Sequence, residues 1–272
     1  MKLYGLIGYP LLHSFSSTYF TEKFKKEGIT DAEFQLFPLN NIQEIKQLLV
    51  CEPNLKGLSV TIPYKEKIIP YLNELDEVAQ KVGAVNSIKI SNKENKIYLK
   101  GYNTDVIGFE KTLIPLLENH HKQALILGSG GASKAVAYVL EKLNIPFKIV
   151  SRTYKQGFLS YQQLNREIIE NHQLIINTTP LGMYPDVNKC PALPCQFLNS
   201  AHLLIDLIYN PEETLFLQKG KLQHSKTQNG LKMLIFQAEA SWKIWNELYN
   251  FKTLFIYPTI ATIGNFYFYP VV

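Results

Sequence analysis

The sequence predicts an α/β protein with two lobes, and three observations support that class. Short apolar runs bounded by glycine, proline or asparagine indicate buried strands, and segments with helical spacing lie between them. After Val106 strands and helices alternate regularly, which favours a parallel sheet with right-handed crossovers. Residues 232–272 abandon this alternation, and we expect their helices to return to the first lobe.

The first lobe is predicted to mix strands and helices without a simple repeat. Its apolar pattern predicts strands at residues 3–8, 34–39 and 58–62, and helices at residues 17–27, 42–49, 65–72 and 77–81. Residues 85–90 and 96–101 flank a polar stretch at 92–95, which is typical of a β-hairpin.

The second lobe is predicted from a more regular alternation. We expect strands at residues 124–127, 147–150, 173–177 and 203–207, and helices at residues 106–117, 131–143 and 162–169. Two further helices are predicted at residues 232–249 and after residue 251. We therefore expect one domain at 1–104, a second at 105–231, and C-terminal helices at 232–272.

Composition argues against several classes of function. Lysine and arginine number 28 against 23 acidic residues, a net charge of +5, but the basic residues are scattered, so we expect no nucleic-acid interface. No apolar run approaches the roughly 18 residues of a membrane helix, so we expect no membrane partner. The 3 cysteines lack zinc-finger spacing and suggest a reducing compartment. We expect a soluble, cytoplasmic monomer or homodimer without a metal site.

The turn Gly128-Ser129-Gly130-Gly131, followed by Ala132, lies between an apolar strand and a helix. Glycine allows a tight turn there and lets backbone amides approach a pyrophosphate at the helix N-terminus. This context predicts a Rossmann-like dinucleotide site, although a serine, Ser133, stands where the usual pattern has its third glycine. The alternative is an ordinary strand-to-helix turn.

The residues after the next strand indicate which dinucleotide is bound. An NAD site usually offers an acidic residue to the ribose at this point. This chain has Ser151, Arg152 and Thr153, followed by Lys155. A guanidinium can grip a 2′-phosphate that a carboxylate would repel, so we predict NADP. The alternative is that Arg152 is a surface arginine.

Polar side chains at two further places suggest a catalytic site in the first lobe. Pro63 ends a predicted strand, so Thr61 and Lys65 emerge at its carboxyl end, while Asp105 lies at the junction of the lobes. Reduction of a ketone requires a proton at the developing oxyanion, and a lysine oriented by a carboxylate can supply it. The alternatives are a helix-start lysine at 65, an N-cap at Asp105 and a turn residue at Asn86.

Taken together, these motifs resemble the shikimate dehydrogenase family nearly from end to end. The resemblance is carried by residues 14–16, 60–65, 83–86, 101–105, 128–132, 151–153, 177–183, 206–211, 230–234 and 237–238. It implies NADP-linked reduction of 3-dehydroshikimate to shikimate, on the route to chorismate and the aromatic amino acids. It also implies a substrate domain at 1–104 and a cofactor domain at 105–231, with the C-terminal helices packed on the substrate domain.

The resemblance also implies roles for individual residues. Lys65 and Asp105 would be the catalytic pair. The substrate-binding residues would be Ser14, Ser16, Thr61, Asn86, Gln237 and Tyr209, with the two serines holding the carboxylate. The cofactor-binding residues would be Gly128, Ser129, Gly130, Gly131, Ala132, Ser151, Arg152, Thr153, Lys155, Thr178 and Gly230. Clustered hydroxyl and amide groups suit a small polyol acid because they both donate and accept hydrogen bonds.

The sequence departs from the family pattern at two positions. Ser17 stands where the family often has proline, and Ser151 where it commonly has asparagine.

A quinate/shikimate dehydrogenase with relaxed substrate or cofactor choice is one alternative function, although Arg152 argues against a preference for NAD. The other alternative is a non-catalytic sensor of NADP and shikimate-like ligands, which the retained Lys65 and Asp105 disfavour.

Overall fold

The computed structural model describes residues 1–11, 15–94, 96–153 and 155–247. The elements of the first lobe are β1 (Lys2–Gly8), α1 (Phe15–Glu27), β2 (Ala32–Pro38), α2 (Ile45–Cys51), β3 (Leu55–Val60), β4 (Glu74–Leu75), α3 (Glu77–Val82), β5 (Ser87–Lys93) and β6 (Lys96–Tyr102). Those that follow are α4 (Asp105–Leu113), β7 (Ala124–Leu127), α5 (Gly131–Lys142), β8 (Phe147–Val150), α6 (Arg166–Asn171), β9 (Leu174–Asn177), β10 (Leu203–Asp206), α7 (Leu215–Leu222), β11 (Lys226–Gln228) and α8 (Leu231–Trp245).

The first sheet is mixed. Its strand order is β2-β1-β3-β5-β6-β4, with β1 parallel to β2 and β3. β5 runs antiparallel to both β3 and β6, and the predicted hairpin is therefore confirmed. The carboxyl ends of β1 and β3 lie at the same edge of this sheet, because the two strands are parallel. The segment after β3 lines a cleft together with residues of the second lobe.

The second sheet is parallel throughout, as predicted. Its order is β11-β10-β9-β7-β8, and each pair of neighbouring strands is parallel. Side chains along β7 alternate between two cores: Ala124 and Ile126 pack on one face, and Leu125 and Leu127 on the other. A strand buried on both faces explains the continuous apolar run in the sequence.

Helix α8 packs on the first sheet, which confirms the predicted return of the C-terminal segment. The ring of Tyr4 on β1 lies 5.0 Å from that of Trp242 and 5.3 Å from that of Trp245. Gly57 on β3 permits this approach, because a Cβ there would lie 2.4 Å from Trp245 Cγ. The helix predicted after residue 251 falls outside the described residues.

Helix α4 connects the two sheets and packs against both α5 and α8. The change from mixed to parallel sheet occurs across this helix, close to the predicted boundary at residues 104 and 105. The domain boundaries themselves stay a prediction. Of the helices that the structure describes, none is long and apolar enough to cross a membrane.

The α-helix predicted at residues 65–72 is wrong. The structure has turns there, followed by a 3₁₀-helix at Ile69–Tyr71. Pro70 has no N–H to donate to the carbonyl of Glu66, so a regular α-helix is interrupted at this point. Lys65 therefore lies in a turn rather than at the start of a helix.

Other differences concern short elements. The helix predicted at residues 106–117 ends at Leu113 and continues as a 3₁₀-helix, Ile114–Leu116. Helix α7, of 8 residues, and strand β11, of 3 residues, were not predicted, because such short elements show little periodicity. A signal for α7 was available, since the side chain of Thr214 accepts a hydrogen bond from Leu217 N as an N-cap.

Candidate active site

Lys65 and Asp105 form a largely buried ion pair. Lys65 Nζ donates to Asp105 Oδ2 at 2.5 Å, and the two side chains are 16% and 7% exposed. Asp105 is the first residue of α4, and the N-cap position belongs to Thr104. The N-cap alternative for Asp105 is therefore wrong, and its carboxylate is free to face the lysine.

Asn86 holds the other oxygen of this carboxylate. Its Nδ2 donates to Asp105 Oδ1 at 2.9 Å and lies 2.9 Å from Thr104 Oγ1 and 3.3 Å from Gln237 Oε1. Asn86 Oδ1 accepts from the backbone N–H of Thr104 at 2.6 Å. We call Lys65, Asn86, Thr104, Asp105 and Gln237 the Lys65 cluster. Asn86 contacts three of the other members directly, and Lys65 joins the cluster through Asp105.

The Lys65 cluster depends on four separate segments of the chain. The turn after β3 supplies Lys65, the segment before β5 supplies Asn86, the entrance to α4 supplies Thr104 and Asp105, and α8 supplies Gln237. Gln237 Nε2 donates to Leu234 O at 2.9 Å, which directs its carbonyl oxygen towards Asn86. The contacts of Thr104 were not predicted, although its position directly before Asp105 was an available signal.

Ser241 extends the cluster on α8 and was also missed. Its Oγ lies 3.0 Å from Thr104 Oγ1, and the side chain is fully buried. Nothing in the local sequence distinguishes this serine from an ordinary helix residue. The only available signal is its spacing of four from Gln237, which places both side chains on one face of the helix.

Of the remaining predicted substrate residues of the first lobe, Thr61 lies at the end of a strand and Ser16 lies in a helix. Thr61 follows β3 and lines the cleft between the lobes, with its N–H bonded to Ile7 O at 3.0 Å. Gly8 leaves room for it, because a Cβ on Gly8 would lie 2.5 Å from Thr61 Cγ2. Ser16 is buried in the first turn of α1, and Ser14 falls outside the described residues.

The glycine turn has the backbone that the sequence predicts. Gly128 has φ of +110°, and a Cβ there would lie 2.7 Å from Thr178 Oγ1. Beyond it, α5 begins at Gly131, and the N–H groups of its first turn have no acceptor within the helix. Ser133, in the place of the third glycine, is buried and donates to Gly130 O at 2.6 Å. The serine therefore fits without opening the turn.

A cleft of about 710 Å³ joins the glycine turn to Lys65. Its lining consists of residues 61–63, 65–67, 128–132, 150–153, 161 and 178–181. Gly131 lies close to Lys65 across the cleft, because a Cβ there would lie 3.2 Å from Lys65 Cβ. The predicted cofactor turn and the predicted catalytic lysine thus face the same space.

The far part of this cleft, lined by residues 150–153 and Tyr161, is called here the β8 end. Ser151 Oγ accepts from Thr153 N at 3.2 Å and lies 3.4 Å from Ser129 Oγ. Arg152 is exposed, and its guanidinium forms no ion pair with a residue that the structure describes. Lys155 is exposed outside the cleft lining, with its ammonium 5.6 Å from the centre of the Phe158 ring.

The predicted residues Thr178, Tyr209 and Gly230 lie where strands of the second sheet end. Thr178 lines the cleft and donates from Oγ1 to Leu127 O at 2.8 Å. Gly230 packs against Leu207, the residue after β10, since a Cβ there would lie 2.1 Å from Leu207 O. The ring of Tyr209 contacts that of Phe15 edge to face at 5.4 Å, so it touches the first lobe.

Asp206 is a buried carboxylate whose role the sequence analysis left unassigned. It accepts hydrogen bonds from Asn177 Nδ2, Thr214 Oγ1 and the N–H of Ile208 at 3.0, 2.6 and 3.0 Å. Burial nevertheless raises the pKa of Asp206 to about 6, because desolvation outweighs these bonds. These contacts connect Asn177, the last residue of β9, with the loop after β10; residues 178–181, which follow Asn177, line the cleft.

No group of three or more histidine, cysteine, aspartate or glutamate side chains in the described part of the chain could hold a metal ion.

The comparisons with known proteins agree with one another. The family profile of the shikimate dehydrogenase substrate binding domain matches residues 6–88. A shikimate dehydrogenase (NADP(+)) from Methanococcus maripaludis is 38% identical over 263 residues, which cover 90% of this chain and 91% of that protein. A crystal structure of a shikimate dehydrogenase in complex with NADP⁺ is 34% identical, with a TM-score of 0.79 over 91% of this chain and 90% of the other.

The enzyme from Thermus thermophilus, solved with NADP(H) and shikimate, has a TM-score of 0.79 at 26% identity, covering 91% of this chain and 94% of that one. Similarity therefore extends through both lobes, beyond the segment that the family profile matches. The chain belongs to the shikimate dehydrogenase family.

Proposed function

We propose that this protein is an NADP-dependent shikimate dehydrogenase, which reduces 3-dehydroshikimate to shikimate reversibly within the pathway to chorismate. The observation that carries the proposal is the Lys65–Asp105 ion pair, at 2.5 Å, beside a cleft that reaches the glycine turn. Full-length relatives named for this activity support it. The domain roles follow: 1–104 for substrate, 105–231 for cofactor, and 232–272 packed on the substrate domain.

The residues of the cleft fit NADP. The glycine turn and the first-turn amides of α5 suit the diphosphate, because amides at a helix N-terminus attract anions. Arg152 is the group for the 2′-phosphate, since it is exposed at the β8 end with no acidic partner in the described chain. Glu66 also lines the cleft, but Lys134 Nζ binds its carboxylate at 2.6 Å. When bound, NADPH supplies the hydride.

The chain's own residues manage the proton. Lys65 Nζ donates a proton to the ketone oxygen as negative charge develops there, and accepts it from the hydroxyl in the reverse direction. Asp105 Oδ2 orients the ammonium and stabilises its charge. Asn86 fixes the second carboxylate oxygen, so that the carboxylate cannot rotate away from the lysine.

Substrate binding is assigned to the groups around this pair. Ser14 and Ser16 would hold the carboxylate of the substrate, while the ring hydroxyls would bind Thr61, Asn86 and Gln237. Tyr209 completes the site from the second lobe, which its contact with Phe15 supports. Side chains that both donate and accept suit a ligand with several hydroxyls.

The test is a direct assay of the purified protein. Formation of NADPH from NADP⁺ is followed by absorbance with shikimate as substrate, and the assay is repeated with quinate and with NAD⁺. We expect turnover with shikimate and NADP⁺ and much slower turnover in the other combinations. Absence of turnover with shikimate at high enzyme concentration would contradict the proposal. Comparable rates with quinate or NAD⁺ would favour the quinate/shikimate alternative.

A further inference from the structure

Tyr161 lies at the β8 end of the cleft, in the same wall as Arg152. It begins a 3₁₀-helix, Tyr161–Gln163, that follows a loop after β8. Neither the sequence motifs nor the family resemblance assigns it a role. Because Tyr161 lines the part of the cleft where the 2′-phosphate is expected, its hydroxyl is a candidate ligand of that group.

The backbone around Tyr161 is held beside the end of β8. Ser151 N donates to Leu159 O at 2.9 Å, and Leu159 N donates to Ile149 O at 2.9 Å. Ser160 and Gln163 form a capping box, in which Ser160 N donates to Gln163 Oε1 at 2.7 Å. These bonds fix the position of Tyr161 relative to Ser151 and hence to the neighbouring Arg152.

The side chain of Tyr161 is anchored on one side and open on the other. Its ring packs against the core that contains Leu125, Val150 and Leu164. Its hydroxyl forms no hydrogen bond with any residue that the structure describes, although the residue is half-buried and lines the cleft. A rigid ring of this kind presents its hydroxyl to a ligand at little entropic cost.

The electrostatic surroundings keep this hydroxyl a donor. Burial raises the pKa of Tyr161, and the nearby positive charge of Arg152 lowers it by a smaller amount. The phenol therefore stays protonated near neutral pH. Two donors, the guanidinium and the phenol, belong to residues that line the same cleft and have no acceptor among the described residues, which suits an anionic ligand.

Lys155, the second cation that the sequence predicts for the 2′-phosphate, is placed differently. Its ammonium is 5.6 Å from the centre of the Phe158 ring, and the residue is not part of the cleft lining. Tyr161 lines the part of the cleft in which Lys155 was expected.

We propose that Tyr161 determines cofactor specificity together with Arg152, by donating a hydrogen bond from its hydroxyl to the 2′-phosphate of NADP. This inference rests on the proposed function only for the identity of the cofactor. Its ligand chemistry is a phosphomonoester on an adenosine ribose, and it makes no demand on the substrate site.

The test measures ligand binding by calorimetry on the full chain, with 2′,5′-ADP and with 5′-AMP, which lacks the 2′-phosphate. Tyr161→Phe removes only the hydroxyl and should weaken 2′,5′-ADP about tenfold, as expected for a hydrogen bond to a charged group, with 5′-AMP unchanged. Tyr71→Phe is the matched control, since Tyr71 lies in the first lobe outside the cleft lining. It should change neither affinity.

Three outcomes would overturn the proposal. Unchanged affinity of Tyr161→Phe for 2′,5′-ADP would show that the hydroxyl does not bind the phosphate. An equal loss of affinity for 2′,5′-ADP and 5′-AMP would indicate a general disturbance of the β8 end. A third variant, Lys155→Ala, completes the test: if it loses affinity for 2′,5′-ADP and Tyr161→Phe does not, the contact belongs to Lys155. Because binding needs no turnover, a protein that passes this test but fails to oxidise shikimate contradicts only the proposed function.

Discussion

The Lys65 cluster and the β8 end are parts of one site with opposite character. In the Lys65 cluster, the carboxylate of Asp105 is bonded through both oxygens, and Asn86 is only 3% exposed. At the β8 end, Arg152 is exposed and the Tyr161 hydroxyl has no acceptor in the described chain. The first region is satisfied by the protein itself, and the second is left to be satisfied by a ligand.

This difference is the one expected if each region has the role proposed for it. A proton donor works best when its orientation is set before the substrate arrives, so its partners are built into the fold. A phosphate site needs free donors, because donors already paired within the protein would have to break those bonds first. Substitutions in the first region should therefore affect stability or turnover, and those in the second should affect cofactor affinity alone.

The largest expected effect is that of Lys65→Ala. Loss of the proton donor should lower kcat about 10²–10⁴-fold while NADP⁺ affinity stays nearly unchanged. Steady-state kinetics and calorimetric titration with NADP⁺ measure the two quantities. Lys89→Ala is a matched control, because Lys89 also pairs with a carboxylate, Glu247 at 2.7 Å, away from the cleft. A parallel loss of cofactor binding would mean that Lys65 has a structural role.

Arg152→Ala should have the next largest effect. Removal of a charged donor from a phosphate should raise the Kd for NADP⁺ about 10–100-fold and leave that for NAD⁺ unchanged. The melting temperature should also be unchanged, because the side chain has no partner in the described chain. Arg166→Ala, at an exposed arginine paired with Glu170, is the control. An equal loss of NAD⁺ affinity would place Arg152 elsewhere than at the 2′-phosphate.

Asn86→Ala should have a smaller, mixed effect. It leaves Asp105 Oδ1 and the N–H of Thr104 without their partner, which should cost about 1–3 kcal/mol of unfolding free energy. The unrestrained carboxylate should also lower kcat about tenfold. Denaturant unfolding and kinetics measure both. Asn73→Ala removes a comparable bond, to Leu99 N at 2.8 Å, and should reduce stability without the loss in kcat.

The smallest effect is expected for Asp206, a buried carboxylate outside both regions, and it concerns the pH dependence of stability. Its pKa in the folded protein, about 6, exceeds the ordinary value of 3.8. The folded state therefore holds the proton more tightly, and stability should fall as the pH rises through this interval. Asp206→Asn should remove that part of the slope in unfolding measured from pH 4 to 7. An unchanged slope would mean that the three hydrogen bonds to Asp206 outweigh its burial.

Prediction from sequence succeeded where the signal was local. The strands at 124–127 and 147–150 have the predicted bounds, since each is a short apolar run between turn residues. The helix expected at 65–72 was wrong because helical spacing was given more weight than Pro70. The short α7 and β11 were missed, although Thr214 was a usable capping signal.

The candidate site divides in the same way. Lys65 and Asp105 could be paired from motifs, and the structure brings them together. Tyr161 has no local signal, and Ser241 has only its helical spacing from Gln237; the surroundings of both depend on how α8 and the loop after β8 pack. The position of Lys155 outside the cleft lining likewise depends on the path of that loop.

By itself, the sequence determined the alternation of the longer elements in the second lobe, the parallel second sheet and the glycine turn, because periodicity and backbone conformation are properties of adjacent residues. Only the tertiary structure decided which polar groups meet. Asn86 is 19 residues from Asp105 and 151 from Gln237, and only the packing of α4 and α8 brings these groups within hydrogen-bond distance. The same packing decides which donors are satisfied within the protein and which remain open to a ligand.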